Sequence, residues 1–139
     1  MFKITQELVN AYPGSHVGVL VIENVLNQSN NSDLEKIKQS IEKTLRDQFK
    51  AHDPHMIDTI SPYLEYRAYY KKFNKTYHVQ GQLNSVVYKE KSIPNIASLV
   101  EVMFMAEMKN GLLTAGHDLD KLQLPITLGL ATGNEKYIL

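Results

Sequence analysis

The sequence SIPNIASLVEVMFMAEMKNGLLTAGHDLDK, residues 92–121, predicts one long apolar helix around which the rest of the chain is organised. Ser92 is a suitable helix cap, and Pro94 is tolerated in a first turn, where backbone N–H groups have no partner within the helix. We therefore expect the helix to begin at residues 93–95. Its apolar side chains extend almost round the axis, so other elements must cover most of its surface.

The end of this helix has a signal of its own. Gly111 follows Asn110, and a glycine in the left-handed conformation commonly ends a helix. The short apolar segment 112–116 predicts a strand, and the sequence HDLD at 117–120 predicts a turn. The two aspartates of that turn are more typical of caps and turns than of catalysis.

Composition limits the class of protein. The 139 residues are 43% hydrophobic, which suits a single domain over residues 1–139 with a real core. Fifteen basic and fifteen acidic side chains cancel, so no net field attracts a polyanion, and DNA is not expected as a partner. There is no cysteine and no apolar run of membrane-spanning length, and the mixed N-terminus does not resemble a secretory signal. These features predict a cytoplasmic protein without a membrane partner.

The rest of the chain predicts strands and helices in mixed order, and hence an α/β fold of the α+β type, a mixed β-sheet packed with helices. The run HVGVLVI at 16–22 is typical of a strand buried on both faces. A helix that begins at Ser32 or Asp33 is amphipathic with one wet face, and its apolar positions are Leu34, Ile37, Ile41, Leu45 and Phe49. We also expect a strand or helix at 2–10, a loop at 24–32, a helix at 60–73, a loop at 74–81, a helix or turn at 82–89, a strand at 124–131 and a new apolar run at 137–139.

Two polar clusters outside the central helix have alternative interpretations. Four tyrosines and Arg67 at 60–73 could stack on unpaired bases, or the tyrosines could lie half-buried at the edge of the core with their hydroxyl groups in water. We prefer the second interpretation. The sequence HDPH at 52–55 has a spacing that can bind metal, but such loop residues are more often caps and turns. We therefore expect no metal and no cofactor.

Three segments together resemble a known family. They are IPNIASLVEV, GLLTAGHDLDKL and PITLGLATGNE, and they resemble the B3/B4 editing domain of the phenylalanyl-tRNA synthetase β subunit, especially its free-standing bacterial relatives. The family's motif positions correspond to Pro94-Asn95, Val100-Glu101, Asp118-Leu119-Asp120 and Gly133 to Glu135. The strand at 16–22 and the pair Tyr66-Arg67 extend the resemblance over most of the chain, which would be the N-terminal part of such a domain.

The resemblance implies a B3/B4-like fold and a pocket for the aminoacyl acceptor end of a tRNA or for an amino acid. In the synthetase this domain hydrolyses tyrosine wrongly attached to the phenylalanine tRNA. A site that binds phenylalanine rejects an analogue with an added hydroxyl only weakly, so a second site must remove the error. Hydrolysis of the ester needs an oriented water and stabilisation of the oxyanion.

The chain also departs from the family's pattern. Ala115 stands where the synthetase has a histidine, His117 where it has an aromatic residue, and Glu101 where it has an aspartate. The family's tyrosine-reading glutamate lies in the second half of the domain. Two functions therefore stay open: a hydrolase that acts in trans on mischarged aminoacyl-tRNA, and a non-catalytic RNA- or amino-acid-binding module.

Five residues are candidates for the site. We expect Glu101 and His117 as acid-base groups, Asn95 and Ser98 as hydrogen-bonding groups for the substrate, and Arg67 as a contact for its phosphate or carboxylate. The alternatives are structural. Asn95 and Ser98 could cap the helix, Glu101 could be a buried carboxylate paired with Arg67 or a lysine, and His117 could be a turn residue. An unpaired sheet edge would favour a homo-oligomer.

Overall fold

The computed structural model describes residues 2–135, so the apolar run expected at 137–139 lies outside the described residues. Helices and a small parallel sheet form the described part, which agrees with the α+β class. The elements are β1 (Phe2–Ile4), α1 (Gln6–Ala11), α2 (Ser32–Phe49), α3 (Tyr63–Lys71), α4 (His78–Val87), α5 (Ser98–Asn110) and β2 (Ile126–Leu128), with 3₁₀ helices at Pro54–Thr59 and Leu119–Lys121.

The chain divides into two compact units. The first unit contains the residues up to Asn24 together with those from His117 onwards, and the second unit is the continuous segment Val25–Gly116. The expectation of a single domain over residues 1–139 stays a prediction.

The sheet of the first unit joins two segments from opposite ends of the sequence. Strands β1 and β2 are parallel, with Phe2 opposite Ile126. The backbone N–H of Thr5 extends the pairing with a 3.0 Å bond to the carbonyl of Leu128, and the Thr5 hydroxyl caps α1 by accepting from the N–H of Leu8. The sequence predicted a strand or a helix at 2–10, and the structure has both in succession. The strand expected at 124–131 is present at residues 126–128.

The strand predicted at 16–22 is wrong. These residues form no regular element, and their side chains are exposed, from 46% for Val21 to 82% for Leu20. Apolar, β-branched side chains favour a strand only where a neighbouring strand supplies backbone partners. In the described part of the first unit β1 pairs with β2, and this segment pairs with neither strand.

The core of the second unit lies between α2, α4 and α5, with aromatic side chains of α3 at its edge. Its buried hydrophobic side chains are Leu34, Leu45, Phe49, Ile57, Tyr63, Tyr77, Val79, Leu83, Val86, Val87, Ile93, Met105 and Met108. The buried hydroxyls have backbone partners, because Tyr63 donates to the carbonyl of Met108 at 2.9 Å and Tyr77 donates to that of Gly111 at 2.8 Å. Their bonds tie the end of α5 to the tyrosines.

The buried face of α2 agrees with the prediction at Leu34, Ile41, Leu45 and Phe49 but not at Ile37. Its start at Ser32 is confirmed, with Asn31 as the cap, but Ile37 is 52% exposed while Lys38 and Glu42 are buried. The face that packs inwards has two charged residues at its centre. Such charges can be buried only where partners are provided, and α5 and the segment before it provide them.

The central helix begins later than predicted and ends where predicted. It begins at Ser98 instead of residues 93–95, while Gly111 adopts the left-handed conformation at φ 67° and confirms the stop. No strand forms at 112–116, because no neighbouring strand adjoins this exposed segment in the described part of the chain. The loop predicted at 74–81 is wrong in its last residues, since α4 already begins at His78.

Candidate functional site

Carboxylates from two helices hold the segment 93–97, which has no regular secondary structure. The N–H of Ile93 donates to Oε1 of Glu42 at 2.7 Å, and the N–H of Ile96 donates to Oε1 of Glu101 at 2.9 Å. Ala97 has extended dihedral angles immediately before the first turn of α5. These bonds satisfy backbone donors without a helix, which explains why α5 does not begin at the proline.

Lys38 connects α2 to this segment and to α5. Its ammonium group donates to Oδ1 of Asn95 and lies 3.2 Å from Oε2 of Glu101 and 2.7 Å from Oε2 of Glu35. The Lys38 side chain is 1% exposed, and that of Glu101 is 6% exposed. Burial lowers the pKa of Lys38, but the hydrogen bonds to Glu35 and Glu101 raise it by more, so the net pKa lies above its ordinary value. The lysine is therefore a buried cation with its counter-ions in place.

Both carboxylate oxygens of Glu101 are engaged within the second unit. Oε1 accepts from the N–H of Ile96 and Oε2 accepts from Lys38. A general base needs a lone pair within reach of the proton that it removes. The structure thus brings Asn95 and Glu101 together through Lys38, in the lysine-paired alternative that the sequence left open.

Ser98 contacts the loop that precedes α2. Its N–H donates to the carbonyl of Gln28 at 2.9 Å, and its hydroxyl donates to the same carbonyl at 2.6 Å. The N–H of Leu99 donates to Oδ1 of Asn27. The loop therefore caps α5 from outside, in place of Ser92. The sequence did not identify Asn27, Gln28 or Lys38 as residues of this site. The asparagine-rich loop at 24–32 was the signal that could have indicated the first two as capping residues.

Arg67 lies in a separate cluster around Asp58. Its NH1 atom is 2.7 Å from Oδ2 of Asp58, which also lies 3.5 Å from Nδ1 of His55. Gln80 of α4 donates to the other oxygen of Asp58. The cluster links the 3₁₀ helix Pro54–Thr59 to α3 and α4, and the Arg67 side chain stays 53% exposed.

The residues at 52–55 act as a cap. Oδ1 of Asp53 accepts from the N–H of His55 at 2.8 Å, at the start of the 3₁₀ helix. Within residues 2–135, no three His, Asp or Glu side chains are grouped as a metal site requires. The cap that Asp53 forms agrees with the turn interpretation.

His117 belongs to the first unit, whereas the other four candidate residues belong to the second. Its side chain is exposed, and no hydrogen bond or ion pair between described residues involves its imidazole. Asp118 caps the 3₁₀ helix Leu119–Lys121 by accepting from the N–H of Asp120, so the turn predicted at 117–120 is confirmed.

The tyrosines near α3 belong mainly to the core. The rings of Tyr66 and Tyr77 are stacked with centroids 4.5 Å apart, and Tyr63 is 4% exposed. Burial raises the pKa of Tyr63 to about 12. Only Tyr69 among the tyrosines of the helix is strongly exposed, at 41%. This arrangement agrees with the core-edge interpretation, although the buried hydroxyls bond to backbone instead of water.

A groove of about 490 Å³ lies between α4 and α5, beside the segment 93–97. We call it the α4–α5 groove; its lining includes Gln82, Val86, Lys91, Ile93, Phe104 and Met108. The Oε1 atom of Gln82 is buried and has no hydrogen-bond partner in the described structure. Buried amide oxygens are usually satisfied, so this atom is an exception in the described structure. Arg46 fixes the groove's wall by donating to the carbonyls of Val86 and Lys91.

Comparison with known proteins gives no relative. No protein-family model, no curated protein and no solved structure matches the chain. None of the helices in the described part combines the length and the apolar character that crossing a membrane requires.

Proposed function

We propose that this chain is a non-catalytic binding module of the B3/B4 type, which binds an amino acid or the aminoacyl end of a tRNA. The observation that carries the proposal is the engagement of both oxygens of Glu101 by Ile96 and Lys38. The Glu101 side chain is also only 6% exposed, so a carboxylate held in this way positions the sequence IPNI instead of activating a water. The module works in the cytoplasm, without a cofactor and without DNA or membrane, and association into a homo-oligomer stays a prediction.

Asn95 is the group that we expect to contact the ligand. Lys38 binds its Oδ1 atom, which orients the amide and directs the remaining NH₂ group to other acceptors. The residue is exposed, so its NH₂ group can donate to a carbonyl or carboxylate of the ligand. Ser98 lies three residues further along the chain, where its hydroxyl already donates to the carbonyl of Gln28, and it supports the segment instead of the ligand.

The test combines binding with deacylation on the full chain. The ligands are free tyrosine and phenylalanine tRNA that is mischarged with tyrosine. The rate of tyrosine release from the tRNA is compared with the rate in buffer. We expect binding without faster cleavage, and we expect Asn95→Asp, which keeps the acceptor for Lys38, to weaken binding at least tenfold. Asn110→Asp, at an exposed asparagine of the same unit, is the matched control. Failure to bind any aminoacyl-tRNA or amino acid in a full panel would contradict the proposal.

A hydrolase acting in trans is the second candidate, and the exposed imidazole of His117 favours it. The side chain is exposed and no described residue occupies its ring nitrogens, so the imidazole can reach a substrate. Under this alternative the chain cleaves a mischarged ester, and His117→Ala slows cleavage tenfold or more, about 1.4 kcal/mol of barrier. His16→Ala, at another exposed histidine of the first unit, should leave the rate unchanged.

A further inference from the structure

Two aromatic rings lie exposed at the end of α3, where the proposed function does not use them. Tyr63, Tyr66 and Tyr70 pack in the core or at its edge, whereas Tyr69 is 41% exposed and Phe73 is 59% exposed. The rings of Tyr69 and Phe73 contact each other, with centroids 5.3 Å apart and planes inclined at 62°. Single exposed apolar residues are ordinary, but two rings in contact form a patch on which a planar group can stack.

The backbone holds Phe73 in a defined position. Its N–H donates to the carbonyl of Tyr70 at 3.0 Å, and the N–H groups of Asn74 and Lys75 donate to the carbonyls of Lys71 and Tyr70 at 3.1 Å. Asn74 has a φ of 53°, the left-handed conformation that commonly follows the end of a helix. The ring is therefore already ordered, which lowers the entropic cost of stacking a partner on it.

Positive charge is concentrated in the same segment, although the chain as a whole is neutral. Residues 67–75 contain no acidic side chain and four basic ones, Arg67, Lys71, Lys72 and Lys75. All three lysines are exposed, and no ion pair between described residues involves them. The ammonium group of Lys72 lies 5.8 Å from the centre of the Tyr69 ring, so the charge and the rings adjoin.

Unpaired nucleic acid has the two features that complement this surface. Base faces stack on aromatic side chains, and the phosphates between consecutive bases bind basic side chains. A duplex covers the faces of its bases, whereas unpaired loops and ends are the usual targets of proteins that bind RNA. The combination of exposed rings with local positive charge therefore favours single-stranded RNA over a duplex.

We infer that the end of α3 binds an unpaired stretch of RNA through Tyr69, Phe73 and the lysines at 71, 72 and 75. We call these five residues the α3 surface. One base stacks on the ring of Phe73, Tyr69 supports that ring from the side, and the lysines contact the flanking phosphates. This binding requires no amino acid on the RNA and no contact with Asn95, so the inference does not rest on the proposed function.

The fluorescence anisotropy of a short labelled uridine RNA tests the inference on the full chain. Each phosphate contact contributes about −0.7 to the slope of log affinity against log salt concentration, so three lysines predict a slope of about −2. We expect duplex RNA of the same length to bind at least fivefold more weakly, and the matching thymidine DNA to bind no more tightly. Equal binding of the duplex, tighter binding of the DNA, or no binding at millimolar protein would overturn the inference.

Three variants separate stacking from charge. Phe73→Leu keeps an apolar side chain without the ring, and it should weaken binding at least fivefold at every salt concentration without changing the slope. Lys71→Gln combined with Lys75→Gln leaves one phosphate contact, so the slope should fall to about −0.7. Glu65→Gln removes the acidic side chain one turn before Tyr69 and should tighten binding.

Matched controls lie outside residues 67–75. Tyr12→Leu replaces an exposed ring of the first unit, and Lys36→Gln combined with Lys89→Gln replaces two exposed lysines of the second, so both should bind RNA as the wild type does. Wild-type affinity of Phe73→Leu, or a wild-type slope in the variant that lacks the lysines at 71 and 75, would contradict the assignment. Free tyrosine is titrated on the same samples and on Asn95→Asp, so loss of RNA binding and loss of amino-acid binding are scored separately.

Discussion

Lys38 shows how a single charged residue can determine the arrangement of its neighbours. Removing an ammonium group from water costs roughly several kcal/mol even after the protein has relaxed around it. Only well-placed counter-ions offset that cost. Here Glu101 and Glu35 supply the charge and Asn95 supplies a further acceptor. The ammonium group of Lys38 thereby fixes the position of the segment 93–97 relative to α2.

Replacement of Lys38 by methionine should destabilise the second unit strongly. The variant keeps the length of the side chain but leaves the Glu101 carboxylate buried beside an apolar group. We expect the free energy of unfolding to fall by about 3–5 kcal/mol, measured by urea denaturation. Lys36→Met, at a lysine whose side chain is 76% exposed, should change it by about 0.5 kcal/mol or less.

A second substitution separates charge from packing. Glu101→Gln removes the buried charge but keeps an oxygen that can accept from the N–H of Ile96. In the double variant with Lys38→Met, we expect most of the lost stability to return, since neither charge is then buried alone. Additive losses in the double variant would show that the pair is not the source of the effect.

Sequence reasoning located part of this site and misplaced the rest. Asn95 and Glu101 were named as candidates, and the lysine partner of Glu101 was one of the alternatives. The apolar repeat of α2 nevertheless placed Lys38 on the wet face and Ile37 on the buried one. A repeat of apolar residues cannot identify a buried charge, because the counter-ions lie far away in the sequence.

At the scale of elements, two glycines should respond in opposite ways to the same substitution. Gly111 has φ 67°, and a Cβ there would lie 3.0 Å from the Tyr63 ring, so Gly111→Ala should cost about 1–2 kcal/mol or more. Gly81 lies within α4, and a Cβ there meets nothing within 4 Å, so Gly81→Ala should stabilise by about 0.5–1 kcal/mol. Urea denaturation measures both, and a change of the same sign at both sites would refute the explanation.

Elements with local signals were predicted better than those that need distant partners. The end of α5 at Gly111 depends on one residue's conformation, and it was predicted correctly. The run at 16–22 has the composition of a strand, but a strand also requires a neighbour that composition does not reveal. The start of α5 failed for a similar reason, because acceptors from α2 and the loop at 27–28 replaced the local cap.

For the whole molecule, we expect stability to fall at alkaline pH. Burial raises the pKa of Tyr63 to about 12, against about 10 when unfolded, so the folded state retains this proton while the unfolded state releases it. Lys38 also has a raised pKa and acts in the same direction. The contribution of these groups is complete below about pH 10 and is lost as the pH rises towards 12.

Urea denaturation between pH 8 and 11.5 should therefore show a decreasing free energy of unfolding, with tyrosine ionisation followed by absorbance. Burial also raises the pKa of Tyr70, Tyr77 and Tyr88, so Tyr63→Phe removes one of several such groups and should flatten the decrease in part, while Tyr12→Phe, at an exposed tyrosine, should not. A constant free energy between pH 9 and 11.5 would contradict the expectation.

The parallel pairing of β1 with β2 also has a consequence for synthesis on the ribosome. At about 5–20 residues per second, residues 126–128 are made roughly 6–25 s after residues 2–4. Throughout that interval β1 lacks the strand with which it pairs, and the apolar run at 16–22 is exposed as it is in the folded chain. Residues 25–116 are translated before β2, so the second unit can begin to fold before the sheet of the first unit is complete. The nascent N-terminal segment is therefore where we expect a chaperone to bind during translation.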